Sequence, residues 1–428
     1  MSHPAPPPAA APAGRRRLVI ALLMAVMVIS VLDKTIFAFA GTQIIDELHL
    51  SAEQFGFVGS AFFFLYSLSG TLVGFLANRL ATRRILGLMA LLWTSAQLLV
   101  VCASGLGALT ASRLLLGAAC GPGTAVTQHA SFKWYGADRQ VLPASLIQVS
   151  IMLGGLLGAI ALPLSISHFG WRTAYLLLAA LSLVWMLAWW RWGAEGREGA
   201  SLADSGGVGH VPYRHLLLNR TFVWISLMCF VAYLPNALSF SWSAVYLQKG
   251  LGLSAMQAGY VLLGATSCII LVNLLLSALS QRLLKRGHNL QRSLVLPPMA
   301  CCMLGGLALC GLAVAGAAGL LPKLTCYVLG SVLLNGVFAF GMTITSHIAP
   351  LRQRGAMLAI HVGCMTLAGV LAPWAVGRLI TFWHDDIARG FEVALQGIGL
   401  TALIGAVLGL YLITPGSTRQ QLQARWSR

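Results

Sequence analysis

Apolar residues fill twelve stretches of spanning length, at about 18–40, 54–77, 84–103, 108–132, 144–167, 171–192, 220–243, 257–280, 293–315, 323–345, 355–380 and 392–413. Polar residues collect in the short connections between them. The first stretch, 23 residues or roughly 34 Å as a helix, exceeds a hydrocarbon core of about 30 Å. The pattern predicts an all-α polytopic membrane protein. One polar pair, Asp33-Lys34, interrupts the first stretch. A charge at such depth costs about 2.5–3.5 kcal/mol even on lenient insertion scales, so it faces a bundle interior or a water-filled cavity and marks an ion or substrate path. Adjacent helical residues do not face each other, so Asp33 and Lys34 each need a partner elsewhere. The competing reading is a structural pair with Lys34 snorkelling outward.

Composition agrees, with 58% hydrophobic and 9% charged residues against about 25% charged in soluble proteins. The net charge of +17 has a topological cause: 21 of the 28 lysines and arginines fall on the side of the termini and 5 on the other. The positive-inside rule therefore predicts both termini in the cytoplasm, and no nucleic-acid partner is implied. The nine cysteines all lie in apolar segments without metal-ligand spacing, so neither a disulfide framework nor a zinc site follows from them. No metal and no cofactor is expected. Residues 1–17 read as a disordered cytoplasmic tail, and the apolar run after Arg15-Arg16-Arg17 is too long for a signal peptide.

The longest polar connection, 193–219, reads as a cytoplasmic linker between six-helix halves at 18–192 and 220–413, with a second tail at 414–428. A repeat supports the division. Shifted by 203 residues, Leu76, Arg79, Leu80 and Arg83 coincide with Leu279, Arg282, Leu283 and Arg286. Paired six-helix halves with a site near the midplane between them are one way large transporters are built.

At this point the chain resembles the major facilitator superfamily, and within it the anion:cation symporter branch of sugar-acid and organic-anion permeases. Gly74 to Arg83 is similar to the family's first loop motif, which implies a gating loop carried by Gly74, Asn78, Arg79 and Arg83. Asp33-Lys34 resembles the branch's Asp-Arg dipeptide. Further matches are Gly59 to Tyr66, Arg113 to Gly117, Gly170-Trp171-Arg172 and Ala372-Pro373 through Gly377. Three positions depart. Asn78 replaces the motif's Asp and Ala81 its Gly, and Cys120 stands where the branch carries a fourth-span Glu implicated in proton coupling. Lys34, replacing an arginine, offers a point charge instead of a bidentate fork.

Depth decides which polar residues can meet. Asp33 and Arg113 both lie roughly 8–11 Å below the outer surface at ~1.5 Å per residue, and are expected to pair. Tyr66 and Cys120 fall near the midplane, so Lys34, Tyr66 and Cys120 are expected to line one cavity, with Arg113 read alternatively as an outer snorkeller. Asp33 reads as the sole buried acid and hence the proton-coupling candidate. His129, His347 and His361 are alternatives, and uniport stays open. On the facing wall His361, placed where the branch often has an amide, is preferred among Asn236, Gln257, Asn273, Asn335, Thr343 and Ser346. Pro235, Pro298 and Pro373 are expected to break or kink their helices.

Two membrane cations against one acid favour a negative cargo. The expectation is a monomeric secondary active transporter of a small organic anion, coupled to H+, in a bacterial-type inner membrane. The alternative is a proton-driven exporter of a small metabolite, siderophore or drug, although 154–163 lacks the Gly-Pro signature of the family's drug antiporters. An enzyme is disfavoured, since no phosphate loop, metal cluster or soluble catalytic domain is present. Reporter fusions at Ser205 and after Arg428 are expected to report the cytoplasm; an external signal from either overturns the twelve-span topology.

Overall fold

The computed structural model describes residues 13–76, 81–135, 140–196, 211–350 and 353–426, and every regular element among them is a helix. In lipid a lone segment must satisfy its own backbone, which only a helix does. The first three crossings are α1 (Ala13–Glu47), α2 (Ala52–Leu76) and α3 (Thr82–Val101). The fourth is broken into α4 (Leu106–Cys120) and α5 (Gly123–Phe132), because Pro122 has no N–H for the carbonyl one turn back. The fifth and sixth form α6 (Val141–Trp192), reversed at Gly170, whose φ of 78° is open to glycine without strain.

The short α7 (Tyr213–Leu217) precedes the second half. There α8 (Arg220–Leu238) continues through α9 (Ser243–Val245) into a π-helical turn at Tyr246–Gly250, and α10 (Ala255–Lys285) returns. Next come α11 (Leu296–Cys310) with α12 (Leu312–Ala318), α13 (Leu320–Asn335) with α14 (Val337–Ile348), α15 (Arg354–Thr366) with α16 (Ala368–Phe382), and α17 (Ile387–Leu412). Ten helical stretches among the described residues are long and apolar enough to span. Dividing α6 at Gly170 and adding the broken α4–α5 crossing gives the twelve read from the sequence.

Three details differ from the sequence reading. Residues 13–17 belong to α1, and most of the expected C-terminal tail is α18 (Pro415–Trp426), tied to α8 by the Thr221 and Thr418 hydroxyls at 2.7 Å. Pro298 opens α11 instead of kinking it, whereas Pro235 and Pro373 do lie inside helices. The gating loop is only partly described: Gly74 lies in the last turn of α2, and Asn78 and Arg79 lie outside the described residues, as do linker positions 197–210.

The halves meet most closely on the side away from the termini. A Cβ on Gly56 would stand 2.3 Å from the Pro373 carbonyl oxygen and one on Gly377 2.5 Å from that of Ala52, so only glycine permits this approach of α2 and α16. Hydrogen bonds cross the seam, from Trp242 Nε1 to the Pro373 carbonyl (2.9 Å) and from the Trp374 amide to Ser60 Oγ (3.0 Å). At its rim Arg378 pairs with Glu53 (3.1 Å) and Lys249 with Asp46.

The side of the termini is organised differently. Glu195, just after α6, accepts hydrogen bonds from the Thr82 amide (3.1 Å) and hydroxyl (2.9 Å) and from Lys133 Nζ (2.5 Å). Burial raises its pKa, but these bonds outweigh it and hold the carboxyl below its ordinary range. Arg83 donates to the Trp190 carbonyl (2.7 Å). The expected gate residue is thus held within the first half, because the end of α6 lies beside the start of α3.

Packing of α2 on α4 yields a stability prediction. A Cβ on Gly117 would lie 2.1 Å from the Phe62 carbonyl oxygen, whereas one on Gly107 of the same helix meets nothing within 4 Å. Gly117→Ala is expected to destabilise the protein by about 1–3 kcal/mol through overpacking. Gly107→Ala is expected to be neutral or stabilising by about 0.5–1 kcal/mol. Thermal unfolding in detergent compares the two, and equal midpoints would contradict the packing.

Candidate functional site

The roughly 100° between successive side chains of α1 sends Asp33 and Lys34 to different places. Asp33 is fully buried in the first half, where Gln97 Nε2 of α3 donates to Oδ1 at 2.7 Å and Oδ2 has no partner. Arg113 of α4 is buried nearby, its guanidinium carbon 4.4 Å from the centre of the Phe37 ring and 4.7 Å from that of Phe62. None of its three side-chain nitrogens has a hydrogen-bond partner.

The expected Asp33–Arg113 ion pair is therefore not formed. The planar guanidinium stacks on two aromatic rings, and the carboxylate takes the amide donor of a neighbouring helix. Sequence reasoning missed Gln97, although the signal was there: it is the one amide in the third apolar stretch, four residues from the end of α3 and at a depth near that of Asp33. The unpartnered hydroxyl of Tyr175 completes a core of polar atoms whose desolvation is only partly offset.

Lys34 leaves this core. Its Nζ lies 5.8 Å from the centre of the Tyr66 ring and forms no ion pair among the described residues. Tyr66 in turn lines a cavity of about 690 Å³ between the halves, together with residues such as Thr71, Thr124, Gln128, Ala359 and Gly363. These come from the terminal-side parts of α2, α5 and α15. Beside the cavity Ser67 Oγ donates to Thr366 Oγ1 across the halves at 2.8 Å. The break at Pro122 lets the chain turn along the wall: Gly121 and Thr124 both line it, and a Cβ on Gly121 would sit 2.3 Å from the Tyr66 carbonyl oxygen. Lys34 itself is not a lining residue, so of the three side chains expected to share one cavity only Tyr66 borders it; a cation against that ring still suits a small anion.

The remaining candidates lie elsewhere. Cys120 is buried between α1 and α4, where Ser30 Oγ reaches its Sγ at 3.9 Å, and it does not line this cavity. His361 is turned away from the cavity, because its position on α15 faces the interior of the second half. There Nδ1 meets Ser226 Oγ at 2.9 Å, and the ring crowds Gly341 and Phe222. Gln257 serves as the capping-box residue of α10 instead of a wall group.

Asp33 is also not the only buried acid. Glu392, read from the sequence as external, is 9% exposed near the start of α17, paired with Lys323 (2.8 Å) and accepting from the Tyr246 hydroxyl (3.0 Å). Its ion pair makes it unlike Asp33, whose only partner is an amide.

Comparison with known proteins places the chain among carriers. The family profile described as Major Facilitator Superfamily matches residues 22–321. A galacturonate transporter of Dickeya chrysanthemi is 24% identical over 56% of this chain and 73% of its own length. A D-galactonate transporter of Escherichia coli is 23% identical over 92% of this chain and 94% of its own. Among solved structures, a bacterial homologue of the human lysosomal transporter Spinster, in an inward-facing and unoccupied conformation, superposes with a TM-score of 0.78 at 16% identity. It covers 96% of this chain and 99% of its own, a likeness of fold.

The Gln97–Asp33 contact carries a prediction. A hydrogen bond to an ionised group is worth about 1.5–3 kcal/mol, so Gln97→Met and Asp33→Ala, each of which removes one partner of the bond, are expected to be non-additive by a comparable amount. Thermal stability of the two single variants and the double variant in detergent measures the coupling. Strict additivity would remove the contact.

Proposed function

Because the chain belongs to the Major Facilitator Superfamily, as a transporter and not an enzyme, we propose that it moves a small organic anion, a sugar acid or carboxylate, by proton-coupled alternating access. The expected location is the inner membrane of a bacterial-type cell with both termini in the cytoplasm. The observation that carries the reading is Lys34: a cation within the membrane-spanning region, against the ring of Tyr66, with no ion-pair partner among the described residues. A carboxylate cargo would supply that partner. The printed functions of the galacturonate and D-galactonate transporters support the same cargo class.

The conformation fits one step of the cycle. The seam of α2 and α16 is closed and the cavity occupies the terminal side, which with cytoplasmic termini is the inward-facing arrangement. The opposite arrangement requires α2 and α16 to part. In this reading Asp33 is the coupling acid. Its Oδ2 and the nitrogens of Arg113 lack partners in this state, which supports a second state in which the two side chains meet. A proton on Asp33 then biases the two states, because ionisation attracts Arg113 and protonation releases it.

Three variants test the assignment in proteoliposomes. Lys34→Ala is expected to lose most cargo binding, about tenfold or more, while Lys34→Arg retains part of it. Asp33→Asn, which imitates the protonated acid, is expected to abolish accumulation driven by a pH gradient and to leave exchange between preloaded vesicles at least partly intact. Galacturonate and galactonate are the first cargoes to assay. Wild-type binding by Lys34→Ala would displace the anion site, and wild-type accumulation by Asp33→Asn would exclude the acid.

A further inference from the structure

A second cavity, of about 810 Å³, opens on the terminal side of the second half where α7 and the starts of α8 and α18 come together. It shares no lining residue with the cavity beside Tyr66. Its wall carries three basic side chains, Arg214, His215 and Arg220, with Asn219, Ser417 and Gln421 among the polar groups, and no acidic residue. Neither arginine enters an ion pair among the described residues.

Two helix N-termini add to this field. The 19 residues of α8 and the 12 of α18 both begin at the cavity, and the partial positive charge of a helix start attracts anions. The frame is built. The Thr414 amide and the Thr418 hydroxyl both bond Thr221 Oγ1, at 3.1 and 2.7 Å, which locks α18 to α8. Arg220 is oriented by its hydrogen bond to the Tyr411 carbonyl at 3.1 Å.

The surroundings point to the source of the anion. Leu218, which lines the cavity, is 70% exposed, and Tyr411 beside Arg220 is 72% exposed. Both sit where apolar spans give way to the basic terminal side, the level of the lipid headgroups, where aromatic rings anchor. A cationic cavity flanked by exposed apolar groups at that level matches an anionic headgroup above its acyl chains. We propose that this cavity binds the phosphate of an anionic phospholipid of the adjacent leaflet, with Arg214 and Arg220 gripping its non-bridging oxygens. Inorganic phosphate shares this chemistry, so the test separates the two sources.

The experiment measures thermal stability of the full purified chain in neutral detergent with added phosphatidylglycerol, phosphatidylcholine or inorganic phosphate. Phosphatidylglycerol is expected to stabilise the wild type and phosphatidylcholine not. The apparent affinity for phosphatidylglycerol is expected to fall about 30-fold in Arg214→Gln/Arg220→Gln and to recover in part in Arg214→Lys/Arg220→Lys. Stabilisation by inorganic phosphate that the glutamine pair abolishes supports the phosphate site and assigns it to the free ion. Equal stabilisation of wild type and glutamine pair by phosphatidylglycerol, or none of the wild type by either phosphate compound, overturns the proposal. If the glutamine pair does not fold, salt titration of the wild type decides, and a phosphatidylglycerol effect indifferent to salt overturns it.

Discussion

The angle between neighbouring side chains on a helix governs this protein's interior. Asp33 and Lys34 follow each other on α1, and the rotation between them places the acid inside one six-helix half and the base toward the seam between halves. Had the two faced one another, they would neutralise locally and neither would act on anything else. Separated, the acid is left with one amide, Gln97, and the base with one aromatic ring, Tyr66. Both are incompletely satisfied, and a membrane interior makes that costly. The cost is tolerable where a cargo or a second conformation removes it.

Close backbone approach is the second organising feature. Between membrane helices the hydrophobic effect gives little, and contact relies on small residues that let backbones meet. Gly56 and Gly377 at the seam of α2 and α16, and Gly117 between α2 and α4, each leave no room for a Cβ. Such contacts fit one arrangement closely and fail in others, which suits rigid halves rocking between discrete states. The helix breaks complement them. Pro122 interrupts the fourth crossing where the chain lines the cavity, so the irregular backbone faces space within the protein and not lipid.

Charge on the terminal side has more than one use. Glu195 is surrounded by donors from the α3 start and Lys133, and fastens the end of α6 within the first half. Arg214 and Arg220 instead meet no acid among the described residues and face an open cavity. The basic excess on the terminal side therefore includes residues fastened within the protein and others that meet no acid among the described residues. Asn78, standing where the resembled motif carries an acid, lies outside the described residues, whereas Arg83 is committed to α6.

The twelve crossings, the six-and-six division and the polar pair in the first span were all legible in the chain, because each depends on local quantities. A run of apolar residues must be helical in lipid whatever surrounds it, and a charge within that run needs a partner whatever that partner is. Depth along each helix was legible too, and it brought Lys34 level with Tyr66. Rotation about the helix axis was not. Whether Asp33 meets Arg113 or Gln97, and whether His361 faces the cavity or Ser226, depends on how each helix is turned against its neighbours. The same holds for Glu392, which a loop-side position marked as exposed and which folding buried against Lys323 and Tyr246. Sequence periodicity sets the order of faces around one helix, but the packing of all twelve selects which face looks where, and partners are a property of that packing.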